Sequence, residues 1–152
     1  MYKNILVAID GSKTSAMALQ HAISLCKHLK SQLRIVHVAD ELPLSLDFPA
    51  IVIDEMRQMI AKEGRTILSQ AQYAAKKEGV DADIKMRETL VDHGRIEIII
   101  VQEATVWPAD LIVIGTHGRR GLDRLILGSV AEGVARTAPM PVLLIRENDA
   151  PM

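Results

Sequence analysis

What most constrains the fold of this chain is an alternation. Short, uninterrupted aliphatic runs are separated by longer stretches in which apolar residues recur every three or four positions. Residues 4–10 (NILVAID) are aliphatic almost throughout and stop at Asp-Gly-Ser, a turn signal. Leu19, Ala22, Ile23, Cys26 and Leu29 then mark one apolar helix face, with Gln20, Lys27 and Lys30 opposite. Residues 33–39 (LRIVHVA) predict a second strand, and residues 40–50, with Pro43 and Pro49, a surface loop. From Ile53 the positions Met56, Ile60, Ile67, Ala71 and Ala74 predict a long helix to about residue 78, with Gly79 ending it. Residues 82–88 alternate Ile84 and Met86 with Lys85 and Arg87, as a strand near a sheet edge does.

Residues 93–107 carry Ile96, Ile98, Ile99, Ile100 and Val101, all strong strand formers. A helix is still expected there, because Gly94 and the Pro108-Ala109-Asp110 stretch bracket three to four turns and a crossover is needed. Residues 111–114 predict a buried strand, 129–137 a short helix and 142–145 the last strand. The order β-α-β-α-β-α-β-α-β, with continuously apolar strands, implies a five-stranded parallel sheet with helices on both faces, a three-layer α/β/α unit. Such sheets take ligands beyond the carboxyl ends of their strands, where the strand order reverses. No repeat or linker interrupts the pattern, so residues 1–152 are expected to form a single domain.

Composition excludes several classes. With 18 basic and 19 acidic residues the chain lacks the basic face of a nucleic-acid binder, and its four aromatics (Tyr2, Phe48, Tyr73, Trp107) make no base-stacking platform. The single cysteine, Cys26, excludes an internal disulfide and a four-cysteine metal site. No apolar run reaches the roughly 18 residues of a membrane span. MYKNILVAID has none of the features of a cleavable signal, so a cytoplasmic protein without membrane insertion is expected.

Chemistry concentrates after the fourth strand. Gly115, Gly118 and Gly121 fall within seven residues, and Gly128 opens the next helix, in IGTHGRRGLDRLILGSVAEGV. Glycines let backbone N–H groups approach a phosphate chain closely, and a helix starting at Ser129 adds unpaired N–H groups and the positive end of its dipole. Arg119, Arg120 and Arg124 can add charge from the rim, Arg119 being the favoured contact. The P-loop pattern GxxxxGK[ST] is missing, and no GxGxxG follows the first strand.

Gly115, Gly118, Gly128 and Ser129 fill the pattern Gly-x2-Gly-x9-Gly-Ser without gaps. With KNILVAIDGS at the start, the His37-Val38 pair, ADLIV at 109–113 and PVLL at 141–144, the chain resembles the nucleotide-binding universal stress proteins nearly end to end. The resemblance implies a Rossmann-like fold of the adenine nucleotide alpha-hydrolase type that binds ATP. It implies that Ala8 and Val38 hold the base, Val38 through its backbone, and that Asp10 meets the ribose or a metal-bound water. Ile114 and Gly115 pass beneath the ribose, while Gly118, Arg119, Arg120 and Gly121 wrap the phosphates together with Ser129, Val130 and Ala131, and Thr116, His117 and Gly128 complete the implied nucleotide-binding set. Mg²⁺ is an optional companion, held by Asp10 and Ser129. Similar proteins act in stress adaptation, some beside a transporter or signalling protein, and pair their last strand in a homodimer. Here that strand is the stretch 141–146, from Pro141 to Arg146. The departure from the family pattern is the third crossover helix, usually rich in alanine and charge but RIEIIIVQEATVW here.

Simpler roles compete with these assignments. Ser129 with Glu132 also reads as a capping box, and Asp10 as an Asx turn ending its strand. His117 reads as a phosphate-facing donor or a solvent-exposed ring, His21 and His28 as surface residues, and His37 as packed. Cys26 falls on an apolar stripe, and Met56 and Met59 read as core or interface filler. The leading expectation is an ATP-binding regulatory module with no strong catalytic apparatus. The alternative is a slow nucleotide hydrolase or nucleotidyl transferase on the same scaffold, although His117-Gly118 matches the HxGH transferase signature poorly and at the wrong strand. A phospho-acceptor receiver domain is disfavoured, since Asp10 lacks neighbouring acids and the last strand ends Ile145-Arg146 without a lysine.

Overall fold

The computed structural model describes residues 1–41, 48–117 and 126–147. Five strands and four helices alternate along them: β1 (Asn4–Ala8), α1 (Lys13–Leu29), β2 (Gln32–Ala39), α2 (Ala50–Lys77), β3 (Ala82–Glu88), α3 (Ile96–Val106), β4 (Leu111–Gly115), α4 (Ser129–Thr137) and β5 (Val142–Ile145). The sheet order is β3-β2-β1-β4-β5 and every pairing is parallel. The chain builds outward from β1 to β3, then crosses back to β4 and continues to β5. The order therefore reverses between β1 and β4, the place where parallel α/β sheets open a crevice.

Side-chain alternation along the strands divides the core in two. Ile5 and Val7 point toward α1 and α2, joined by Leu33, Ile35, Leu68 and Ala71. Leu6 and Ala8 point the other way, into a cluster with Val36, Val38, Ile99, Ile112, Ile114 and Val134 beneath α3 and α4. Both faces of β1 are sealed, which is why its sequence is apolar at consecutive positions. Each fully buried aliphatic side chain contributes about 1.5–3 kcal/mol relative to exposure.

Local signals explain most boundaries. Ser12 caps α1, its side chain accepting the Ser15 N–H at 3.2 Å, so the helix starts six residues before the apolar stripe that revealed it. Gly79, at φ +81°, follows α2 in the left-handed region, as its position predicts. Ala50, expected in the loop, instead opens α2, while residues 42–47 of that loop lie outside the described residues. β1 ends two residues short of the expected 4–10 run, although Ile9 stays buried and donates its N–H to Val36 O.

α3 is helical despite its isoleucines. Burial of Ile99, Ile100, Glu103 and Ala104 at helical spacing lays one face on the sheet, and this packing outweighs strand propensity. Glu103 is the unexpected member of that face. Its carboxylate, with 4% of the side chain exposed, lies 3.6 Å from Arg34 Nη1 and 3.6 Å from Arg87 Nη1. Those arginines also pair with Asp83 and Asp92, and Arg34 stacks over Trp107. Among the described residues no helix is long and apolar enough to cross a membrane.

Candidate functional site

The expected base-contacting residues converge. Ala8 pairs in register with Ile114, and Val38 lies two residues beyond Val36, the partner of Ala8 on the other side. Ala8, Val38 and Ile114 belong to one buried cluster on the α3/α4 face, so the carboxyl ends of β1, β2 and β4 meet there.

Asp10 leaves β1 in an Asx turn. Its Oδ1 accepts the Ser12 N–H at 2.8 Å, and its own N–H donates to Ser15 Oγ at 3.2 Å. The turn aims α1's first N–H groups at the carboxyl edge of the sheet and leaves the half-buried Asp10 carboxylate with a second oxygen.

On the β4 side, Thr116 donates its N–H to Ile145 O at 2.9 Å and accepts the Gly128 N–H at 2.7 Å. These bonds join the end of β4, the end of β5 and the start of α4. Gly118, Arg119, Arg120, Gly121 and Arg124 lie outside the described residues. Val130 packs against the second core cluster and Ala131 is buried, so α4 offers its first-turn backbone N–H groups at this edge beside the exposed Ser129.

Ser129 does not form the capping box with Glu132. The cap is Gly128, in extended conformation at φ −62° and ψ 153°. Ser129 is already helical, and from there its hydroxyl is not placed to cap the first turn. It stands exposed at the helix mouth. His117 is not a solvent-exposed ring; it is buried, with Nδ1 3.1 Å from Thr116 Oγ1. Gly115 has a packing duty that the motif does not announce. A Cβ there would sit 2.8 Å from Thr14 Cγ2 and 3.1 Å from the Thr14 carbonyl carbon and oxygen, so its absence lets α1 close on β4.

His21, His28, His37 and Cys26 follow expectation. His21 and His28 are exposed, while His37 is buried with Nδ1 2.8 Å from Ile9 O. Cys26 is buried, and burial pushes its thiol up to about 11. Met59 is not core, being 71% exposed on α2.

Sequence reasoning missed one cluster at this edge. Glu41, two residues past β2, is 1% exposed. Its Oε2 accepts from Arg57 Nε at 2.8 Å and its Oε1 from the Leu90 N–H at 3.3 Å, while its own N–H donates to Thr89 Oγ1 at 2.8 Å. The carboxylate in turn raises the pKa of the Arg57 guanidinium above its ordinary value. Its partners come from α2 and the segment after β3, so no local motif marks it.

Comparison with known proteins agrees with this architecture. The model of the universal stress protein family matches residues 1–146. Universal stress protein YxiE of Bacillus subtilis is 37% identical over 153 residues, spanning 96% of this chain and 100% of the relative. The solved universal stress protein UspA from Lactobacillus plantarum superposes with a TM-score of 0.82 at 26% identity, covering 95% of this chain and 98% of that one. A universal stress protein from Archaeoglobus fulgidus, solved in complex with dAMP, gives 0.67 at 27% identity, over 95% of this chain and 98% of its own. From its first strand to its last, this chain belongs to the universal stress protein family.

Proposed function

We propose that this chain is an ATP-binding regulatory protein acting in stress adaptation. The observation that carries the reading is the meeting of two helix N-termini, α1 after Asp10 and α4 after Gly128, with the ends of β1 and β4 at the reversal of strand order. The residues fit an adenine nucleotide. Ala8 and the Val38 backbone hold the base, Ile114 and Gly115 run beneath the ribose, and Asp10 takes a ribose hydroxyl or a metal-bound water. Thr116 to Gly121, with Arg119 and Arg120, and Gly128 to Ala131 wrap the phosphates. The exposed Ser129 hydroxyl, not spent on capping, supports a phosphate or Mg²⁺ contact, with Asp10 as the second Mg²⁺ ligand. The dAMP-bound Archaeoglobus relative supports the adenine end of this assignment.

In this reading residues 1–152 act as one cytoplasmic domain, and bound ATP biases the loop after β4 and its contact with a transporter or signalling protein. β5 lies at a sheet edge, with Leu143 36% exposed, which supports a C₂ homodimer through the 141–146 stretch. Leu144→Asp then gives a monomer by light scattering; a variant that stays dimeric removes that interface. Native mass spectrometry of the purified protein tests the ligand. An added mass of ATP, or calorimetric binding of ATP by the emptied protein, is expected, and failure of both refutes the reading. Slow release of ADP and phosphate on incubation favours the hydrolase alternative, and transfer of the nucleotidyl group favours the transferase.

A further inference from the structure

We infer that Glu41 is a positioning residue for the base end of the proposed nucleotide site, holding the main chain just beyond Val38 at the geometry a purine requires. The inference rests on the nucleotide reading and adds a residue that the glycine motif does not contain.

Burying a carboxylate is costly, and one 1% exposed survives only with partners that compensate its lost hydration. Glu41 has them, and each partner lies on a segment flanking the exit of β2. Immediately after Val38, Ala39 O accepts the Thr89 N–H at 3.1 Å. Two residues on, the Glu41 N–H donates to Thr89 Oγ1, its Oε1 accepts the Leu90 N–H and its Oε2 accepts Arg57 Nε. Arg57 Nη2 also lies 3.5 Å from Glu88 Oε2. One side chain thus ties the end of β2 to the end of β3 and to the body of α2. An apolar residue could fill the same space, but it could not fix the chain by directed bonds to two other segments.

This placement matters because Val38 is assigned to the base through its backbone. A main-chain hydrogen bond works only within a few tenths of an ångström of about 2.9 Å, and no side-chain rotamer can absorb a drift. The phosphate end stands on a different clamp, the Thr116 bonds to Ile145 and Gly128. Loosening Glu41 therefore weakens recognition of the base and leaves the phosphate end intact.

Calorimetry of the full chain with adenosine, ATP and inorganic tripolyphosphate tests this. In Glu41→Gln, adenosine and ATP are expected to bind about tenfold more weakly, the size of one charged hydrogen bond, with tripolyphosphate unchanged. Glu103→Gln, which alters a buried carboxylate between α3 and the sheet, controls for general loss of stability and is expected to leave all three affinities in place. Thr89→Val, which removes the acceptor of the Glu41 N–H, is expected to reproduce the adenosine-specific loss if Glu41→Gln does not fold. Unchanged adenosine affinity in the variants, or a parallel loss for tripolyphosphate, overturns the inference while leaving the nucleotide reading standing. If the unaltered chain binds none of the three ligands, both fall.

Discussion

Gly115→Ala tests the packing duty of the first glycine of the motif. Its backbone is in an ordinary conformation, with no positive φ, so alanine carries no torsional penalty there. The penalty is steric. The new Cβ would meet Thr14 Cγ2 at 2.8 Å and the Thr14 carbonyl at 3.1 Å, on a residue only 4% exposed at the start of α1. One extra methyl in such a packed place costs about 1–3 kcal/mol, taken here as ~2 kcal/mol. With a urea slope of about 2 kcal/mol per molar, the unfolding midpoint followed by circular dichroism falls by about 1 M. Thr14→Ser removes the closest offending atom and alone costs about 0.8 kcal/mol, one buried methyl. The double variant is then expected to be more stable than the sum of the two losses by about 1 kcal/mol. Rescue stays partial, because the Thr14 backbone contacts remain. A Gly115→Ala midpoint equal to wild type, or strict additivity in the double variant, refutes the packing argument.

Three further outcomes are expected. The hydrogen bond from Arg87, followed by that from the Glu88 N–H, holds the Asp92 carboxyl below its ordinary pKa, so its contribution to stability is present above the unfolded value of about 3.9 and is lost as pH falls through the lower folded one. Asp92→Asn is therefore less stable than wild type near neutrality, and the gap in urea midpoint narrows in acid; a gap that is constant down to about pH 3 contradicts this. Cys26, pushed up to about 11 by burial, is expected to ignore a thiol-reactive dye in the folded protein at mildly alkaline pH and to react at once in urea; fast labelling of the native state contradicts it. Glu103→Gln places an amide between Arg34 and Arg87 and lowers stability by about 1–3 kcal/mol, read from the same urea transitions; an unchanged midpoint means the carboxylate contributes nothing net.

The alternation of elements was legible because burial on both faces writes continuous apolar strands, and burial on one face writes helical stripes. β3, α4 and β5 end where periodicity and turn residues place them. Gly115, Gly128 and Ser129 were legible as a spaced motif, but their local roles were not. Gly115 makes room for Thr14, and Gly128 rather than Ser129 caps α4. Glu103 could have been noticed, since it shares a helical face with Ile99, Ile100 and Ala104, and a carboxylate on such a stripe demands a counter-charge.

The sequence by itself determined the fold class and the two edge strands, because these follow from periodicity and chain order. Only the tertiary structure decided that Glu41 meets Arg57, Thr89 and Leu90, that Glu103 lies between Arg34 and Arg87, and that His117 is covered. Such pairings join residues far apart in the chain, and no local pattern encodes them. They exist only once parallel strands and crossing helices have brought those residues into the same few ångströms of low-dielectric space, where a charge must find its partner.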